Sequence, residues 1–96
     1  MSCYFVAQIT IHDRDAYGLY EDGFDEVLGK FNGTVIAVDD HPVLLEGEWN
    51  HGRIVLIRFP SKEEARRWYD SPEYRRLAEH RFRASEATTM LVEARE

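Results

Sequence analysis

A chain of 96 residues that is 44% apolar and 31% charged, with six Gly and three Pro, has the composition of one folded domain and not of a disordered or fibrous chain. Its single cysteine, Cys3, excludes an intramolecular disulfide framework and a multi-thiolate zinc site. Twelve basic against eighteen acidic side chains give a net charge of −6, which argues against a general affinity for nucleic acid.

Residues 4–11 are dominated by aromatic and β-branched side chains and predict a strand. Phe5, Ala7, Ile9 and Ile11 fall on one face of it, and Tyr4, Val6, Gln8 and Thr10 on the other. Asp13 makes a good N-cap, and Asp15 lies in the first turn, where the helix dipole favours a carboxylate. Tyr17, Tyr20, Phe24, Val27, Leu28 and Phe31 then recur at spacings of three and four, the stripe of a helix that Asn32-Gly33 ends. Gly18, Gly23 and Gly29 weaken that helix by roughly 1 kcal/mol each relative to Ala. Residues 34–38 predict a second strand, interrupted at 39–42, with extended structure resuming over 43–49. Asn50-His51-Gly52 signals a tight turn, so the strand 53–59 is expected to pair back on 43–49 as a hairpin. Leu45 and Trp49 would lie on one side of that hairpin, Glu46 and Glu48 on the other. Ser61 and Glu64 form a capping box that opens a short helix through Trp68 and Tyr69. Asp70-Ser71-Pro72 breaks it, and Ser71 with Pro72 restarts a further helix whose buried stripe is Tyr74, Leu77, Ala78 and Phe82. Residues 88–93 predict a last strand.

The order is β-α-β-β-α-β, which predicts one ferredoxin-like α+β domain over 1–96, an antiparallel sheet with its helices on one face. The other face is expected to be apolar as well: 54–57, 35–38 and 90–92 are apolar throughout, and Tyr4 and Val6 oppose Phe5 and Ala7. A sheet with a wet face alternates apolar with polar residues, and this one largely does not. A second copy of the same sheet, related by a two-fold axis, is the expected cover, through an apolar interface of roughly 2,000 Å² or more. No membrane segment is expected, since the longest apolar run, 3–7, is far shorter than the ~20 residues that span a bilayer. The first residues carry no basic cluster, so no secretory signal is expected and a cytoplasmic protein is the default. Charge is uneven along the chain: 1–48 hold ten acidic and two basic residues, 49–96 eight acidic and ten basic, the pattern of two solvated helix faces of different sign or else a bias able to orient two copies or a ligand.

Several of these residues resemble the dimeric α+β barrel superfamily and, within it, domain-of-unknown-function family 1330. The resemblance covers nearly the whole chain. Its most specific segment is Trp68-Tyr69-Asp70-Ser71-Pro72-Glu73-Tyr74, preceded by Ala65 and followed by Arg81. Asp13, Tyr17 and Tyr20, then Leu45, Glu46, Gly47 and Trp49, then Phe59-Pro60-Ser61 and Leu91-Val92-Glu93 support it. The chain departs from the pattern at Arg14, where members often have Pro, and in the polar stretch His80-Arg81-Phe82-Arg83. The resemblance implies a homodimer whose sheets face each other as a barrel. Relatives in the wider superfamily include cofactor-free monooxygenases, haem-degrading enzymes and small lactone isomerases.

Candidate chemistry is sparse. None of His12, His41, His51 and His80 lies three or four residues from another, so no helical metal pair exists and no metal site is expected. His12, where the first strand meets the helix, is a candidate proton shuttle. Glu46, beside aromatic residues, is a candidate base, or else an ion-pair partner of Arg53 or Arg58, the reading the hairpin favours. Tyr17, Glu46, Trp49, Tyr69, Tyr74 and Arg81 are the candidate ligand-binding residues, at least three of them expected around one partly exposed pocket. Phenols with Arg81 suit a flat anionic or phenolic ligand, although aromatic stripes at helical spacing are also core. No serine sits in a nucleophile elbow, and no glycine-rich phosphate loop is present. The leading expectation is a small-molecule enzyme of monooxygenase or isomerase type, acting without metal or organic cofactor in a cleft between helices and sheet. The alternative is a non-catalytic dimeric module that binds a small aromatic or acidic metabolite.

Overall fold

The computed structural model describes residues 1–50 and 52–96. β1 (Cys3–Ile11), α1 (Arg14–Gly29), β2 (Thr34–Asp39), β3 (Arg53–Phe59), α2 (Lys62–Asp70), α3 (Pro72–Ala84) and β4 (Ser85–Glu93) follow in chain order. The strands form one antiparallel sheet in the order β2-β3-β1-β4, the ferredoxin-like arrangement that the sequence predicts. Among the described residues no helix is long and apolar enough to cross a membrane.

Side-chain caps set the helix starts where the sequence places them. The carboxylate of Asp13 accepts from the Ala16 N–H, the Ser61 hydroxyl from Glu64, and the Ser71 hydroxyl from Tyr74. α1 stops at Gly29, short of Phe31, and Asn32 takes the left-handed conformation at φ 60° that turns the chain into β2. β4 starts at Ser85, three residues before the expected strand, with no loop after α3.

The expected pairing of 43–49 with 53–59 does not occur. β2 takes that partner instead, with Thr34 opposite Arg58 and Asp39 opposite Ile54, and 40–50 form a connecting loop. Pro42 and Gly47, the latter at φ 87°, break any extended run, and Val43 and Leu45 are 85% and 88% exposed. The expected tight turn falls partly on His51, which lies outside the described residues. A register shift between Val35 and Ala37 makes a bulge at Ile36 in β2.

On the helix-facing side of the sheet, Cys3, Phe5, Ala7 and Ile9 of β1 and Ile57 and Phe59 of β3 are buried. Trp68 is the centre of this layer: it is fully buried, with ring centroids of Tyr74, Phe5 and Phe59 at 4.2, 5.0 and 5.2 Å. Phe82, expected in the stripe of α3, is instead half exposed. The opposite side carries Val6, flanked in register by Leu56 and Met90, with Ala37 next to Leu56. This apolar row crosses all four strands. The sequence's expectation that half of 54–57 looks away from the helices is met by Ile54 and Leu56.

Candidate functional site

A cavity of about 280 Å³ lies between α1 and the helix-facing side of the sheet. Its floor is apolar: Phe5, Ala7 and Ile9 from β1, Val55 and Ile57 from β3, and Val35 and Val38 from β2. Strand geometry brings these together, since alternate residues of neighbouring strands point to one face. Ala7, the smallest side chain in the middle of that floor, leaves room, and the bulge at Ile36 keeps both Val35 and Val38 on the cavity side. The wall is the α1 stripe, where Tyr17, Tyr20 and Phe24 stack with successive centroids 5.4 Å apart, and Glu21 and Asp25 stand on the adjoining face.

Two arginines complete the lining, and the fold holds each differently. Arg53, the first residue of β3, donates from Nε and Nη2 to Asp40 at 2.6 and 3.2 Å and from Nη1 to Glu21 at 3.1 Å. Its guanidinium lies 5.4 Å from the Tyr17 ring centroid. This clamp fastens the start of the 40–50 loop to α1, and its hydrogen bond holds the Asp40 carboxyl below the usual aspartate range. Arg81 comes from α3, which is anchored beside the start of α1 by the His12 and Asp13 N–H groups, both donating to the Ala84 carbonyl. The Ser85 hydroxyl donates to the Arg81 carbonyl at 2.7 Å. The Arg81 guanidinium sits 5.9 Å from the Tyr20 ring and 4.9 Å from the Phe82 ring, and Nη2 is buried without a hydrogen-bond partner.

Tyr17, Tyr20 and Tyr74, around Arg81, stay protonated. Burial pushes Tyr17 up, against the opposing charge of Arg53; burial and the Tyr74 phenol push Tyr20 well above the ordinary tyrosine value; burial also raises Tyr74. Tyr20 and Tyr74 share a hydrogen bond of 2.8 Å between their oxygens. Such a site can enclose a flat apolar molecule and offer positive charge and phenol groups to one of its oxygens.

Of the six predicted ligand-binding residues, the cavity brings together two, Tyr17 and Arg81; the expected three do not meet in one pocket. Tyr74 lies behind the wall, fully buried, and reaches the cavity through its bonds to Tyr20 and Arg81. Tyr69 lines a separate pocket of about 110 Å³ with Phe5, Arg66, Thr89, Met90 and Leu91. There burial raises its pKa, but bonding to Arg75 and Thr89 and the charges of Arg81 and Arg75 outweigh it and lower the value. Glu46 is exposed and Trp49 half-buried in the 40–50 loop, away from the cavity lining. The expected ion pair of Glu46 with Arg53 or Arg58 gives way to Asp40 and Glu21 on Arg53, and to Glu96 at 3.5 Å on Arg58. His12 is exposed at the end of β1. Cys3 is outside the cavity, and burial raises its thiol pKa. Among the described residues no group of three His, Cys, Asp or Glu side chains is placed to hold a metal ion. Sequence reasoning passed over Arg53 and Tyr20 as site residues. Arg53 shares the inward parity of Val55 and Ile57, and Tyr20 shares the stripe of Tyr17, so both signals were present.

A family model described as "Domain of unknown function (DUF1330)" matches residues 2–95. Comparison with the curated proteins finds no match. Among solved structures, the RPA0582 protein of unknown function from Rhodopseudomonas palustris superposes with a TM-score of 0.81 at 15% identity, over 99% of this chain and 83% of that one. SnoaB, a cofactor-independent oxygenase from Streptomyces nogalater, superposes at 0.64 with 18% identity, covering 99% and 94%. A dimeric protein of unknown function with a ferredoxin-like fold from Bacteroides fragilis superposes at 0.65 with 9% identity, covering 97% and 96%. At these identities the likeness is one of fold.

Proposed function

The chain belongs to the DUF1330 family, and on that premise we propose that it is a homodimer whose subunits, each one domain over 1–96, bind a small flat organic molecule under α1. The observation that carries the reading is the cavity itself: an apolar floor of sheet side chains, with Arg81 and the neutral phenols of Tyr17 and Tyr20 in its lining. The chemistry this favours is turnover without a cofactor, in which Arg81 and Tyr17 stabilise negative charge that develops on a substrate oxygen. The oxygenase activity of SnoaB, a protein of the same fold, supports that direction. One observation favours the second reading, a binding module without turnover. The phenols that face the cavity are held protonated and Glu21 is committed to Arg53, which leaves Asp25 as the remaining acidic group of the lining to act as a base.

Both readings share a test. Ala7→Leu places an isobutyl group on the cavity floor. Wild-type protein should bind a two-ring aromatic probe such as 1,4-dihydroxynaphthalene, detected as a rise in melting temperature, and Ala7→Leu should not. Oxygen consumption above the buffer rate by the wild type, absent in Ala7→Leu, identifies an oxygenase; binding without consumption identifies the module. Equal binding by both proteins would remove the cavity as the site.

A further inference from the structure

We infer that the molecule held in this cavity is an organic monoanion: a flat, mainly apolar body with one oxyanion, bound at Arg81. The inference rests on the cavity being the binding site, and comes from the contrast between its two arginines. Arg53 is neutralised, with carboxylates of Asp40 and Glu21 on three of its N–H groups. Arg81 is only 5% exposed, and among the described residues no ion pair involves it. The rings of Tyr20 and Phe82 flank it and the Tyr74 phenol, a neutral partner, hydrogen-bonds to it, while its Nη2 is sealed from solvent with no acceptor.

A cation taken out of water without a counter-charge costs several kcal/mol, and an unmade hydrogen bond adds to that. Arginine cannot relieve the cost by losing its proton. Burial opposes the charge, but the Tyr74 and Tyr20 phenol oxygens, Tyr74 through a hydrogen bond, favour it, and the pKa is raised. The charge therefore stands, bordering a cavity large enough for a two-ring aromatic molecule. A ligand oxyanion against the part of Arg81 that lines the cavity supplies the missing charge, and guanidinium–carboxylate bonds are among the strongest available to a protein. The rest of the lining sets the remainder of the ligand. Ala7, Val55 and Ile57 accept a flat hydrocarbon body, whereas Glu21 and Asp25 on the α1 wall repel a second negative group. One anionic end and one apolar end are what these surfaces jointly select.

The test is isothermal titration of the full-length protein with 2-naphthoate and with 2-naphthamide, a neutral molecule of the same shape. The wild type should bind the carboxylate at least about tenfold more tightly than the amide. Arg81→Met should bind the two alike, and Arg81→Lys should keep only part of the preference, because its ammonium lacks the planar fork. Circular dichroism checks that each variant is folded, and Arg81→Lys carries the comparison if Arg81→Met does not fold. Equal affinity for both compounds in the wild type, or a preference undiminished in the variants, overturns the anion while leaving the cavity as the site. Binding of neither compound overturns the cavity reading and this inference with it.

Discussion

Tyr20 and Tyr74 each bury a hydroxyl, and the two share a hydrogen bond with their oxygens 2.8 Å apart. Tyr20→Phe leaves the Tyr74 hydroxyl in the core without that partner. The expected loss is about 1–2 kcal/mol, a fall in melting temperature of roughly 4–12 °C for a chain of this size. The same pair gives the protein an alkaline limit. Burial first, then the neighbouring phenol, raises Tyr20 well above its ordinary value, and burial raises Tyr74. A pKa raised in the folded state means stabilisation that is complete below the unfolded tyrosine value of about 10 and lost as pH climbs through the folded value. Chemical denaturation at stepped pH should show wild-type stability dropping above about pH 10, and dropping less steeply in Tyr20→Phe; identical slopes would contradict the assignment. The site was partly legible at this scale. Tyr17 and Arg81 could be found because helical spacing fixes which face a residue occupies. Glu46 and Trp49 lie away from the cavity because the strand expected over 43–49 does not form, and a change of element moves every side chain on it.

The glycines of α1 illustrate how an element's sequence underdetermines its packing. Gly18, Gly23 and Gly29 look equivalent as helix weakeners, yet a methyl group at Gly18 would meet nothing within 4 Å, whereas at Gly23 it would come within 2.9 Å of Leu77 Cδ1 on α3. Gly33, in the turn after α1, is more constrained still: a methyl there would lie 2.4 Å from Leu28 Cδ1 and 2.8 Å from the Phe59 ring. Gly18→Ala should raise stability by about 0.5–1 kcal/mol. Gly33→Ala should lower it by about 1–3 kcal/mol, because Phe59 is fully buried and has nowhere to go. Urea titration of both variants checks the pair, and a loss at Gly18 would show that α1 packs more tightly there than the structure allows. Caps and turns were the most legible features, since Asp13, Ser61, Ser71 and Asn32 act through their own backbone neighbours. The pairing of β3 was not. Residues 34–38 and 43–49 both have the composition of strands, and propensity does not choose between two candidate partners for one ladder. Gly47, at φ 87° in the middle of the second candidate, and Pro42 just before it are what disqualify it.

As a whole the chain is a slab, with principal extents of 33 × 31 × 16 Å, one layer of helices on one layer of sheet. Two layers leave one sheet face bare. Along the middle of that face Ala37, Leu56, Val6 and Met90 stand side by side across all four strands, with Ile54 and Val92 in the neighbouring rows. Met90 and Val92 are 42% and 43% exposed, and Ile36 at the bulge 48%. At roughly 25 cal/mol per Å² of apolar surface, a face of this kind left wet forgoes energy comparable to the ~5–15 kcal/mol stability of a domain. Arg58, held by Glu96 at the Tyr4 end of this face, and Gln8 with Thr88 towards the other end give the apolar stripe a polar rim, the anatomy of an interface. Sheet against sheet about a two-fold axis matches the stripe to itself, and the proposed dimer follows from that match. Sedimentation equilibrium at micromolar concentration should therefore give twice the 11.3 kDa of one chain. Leu56→Asp puts a carboxylate at the centre of the stripe, where in a dimer it meets its own symmetry mate's apolar row; the variant should run as a monomer of lowered melting temperature or aggregate. Arg58→Ala, at the rim, should leave the dimer intact. A wild type that sediments as a folded monomer, or a Leu56→Asp variant that stays dimeric with an unchanged melting temperature, would mean that this face is covered by something other than a second copy.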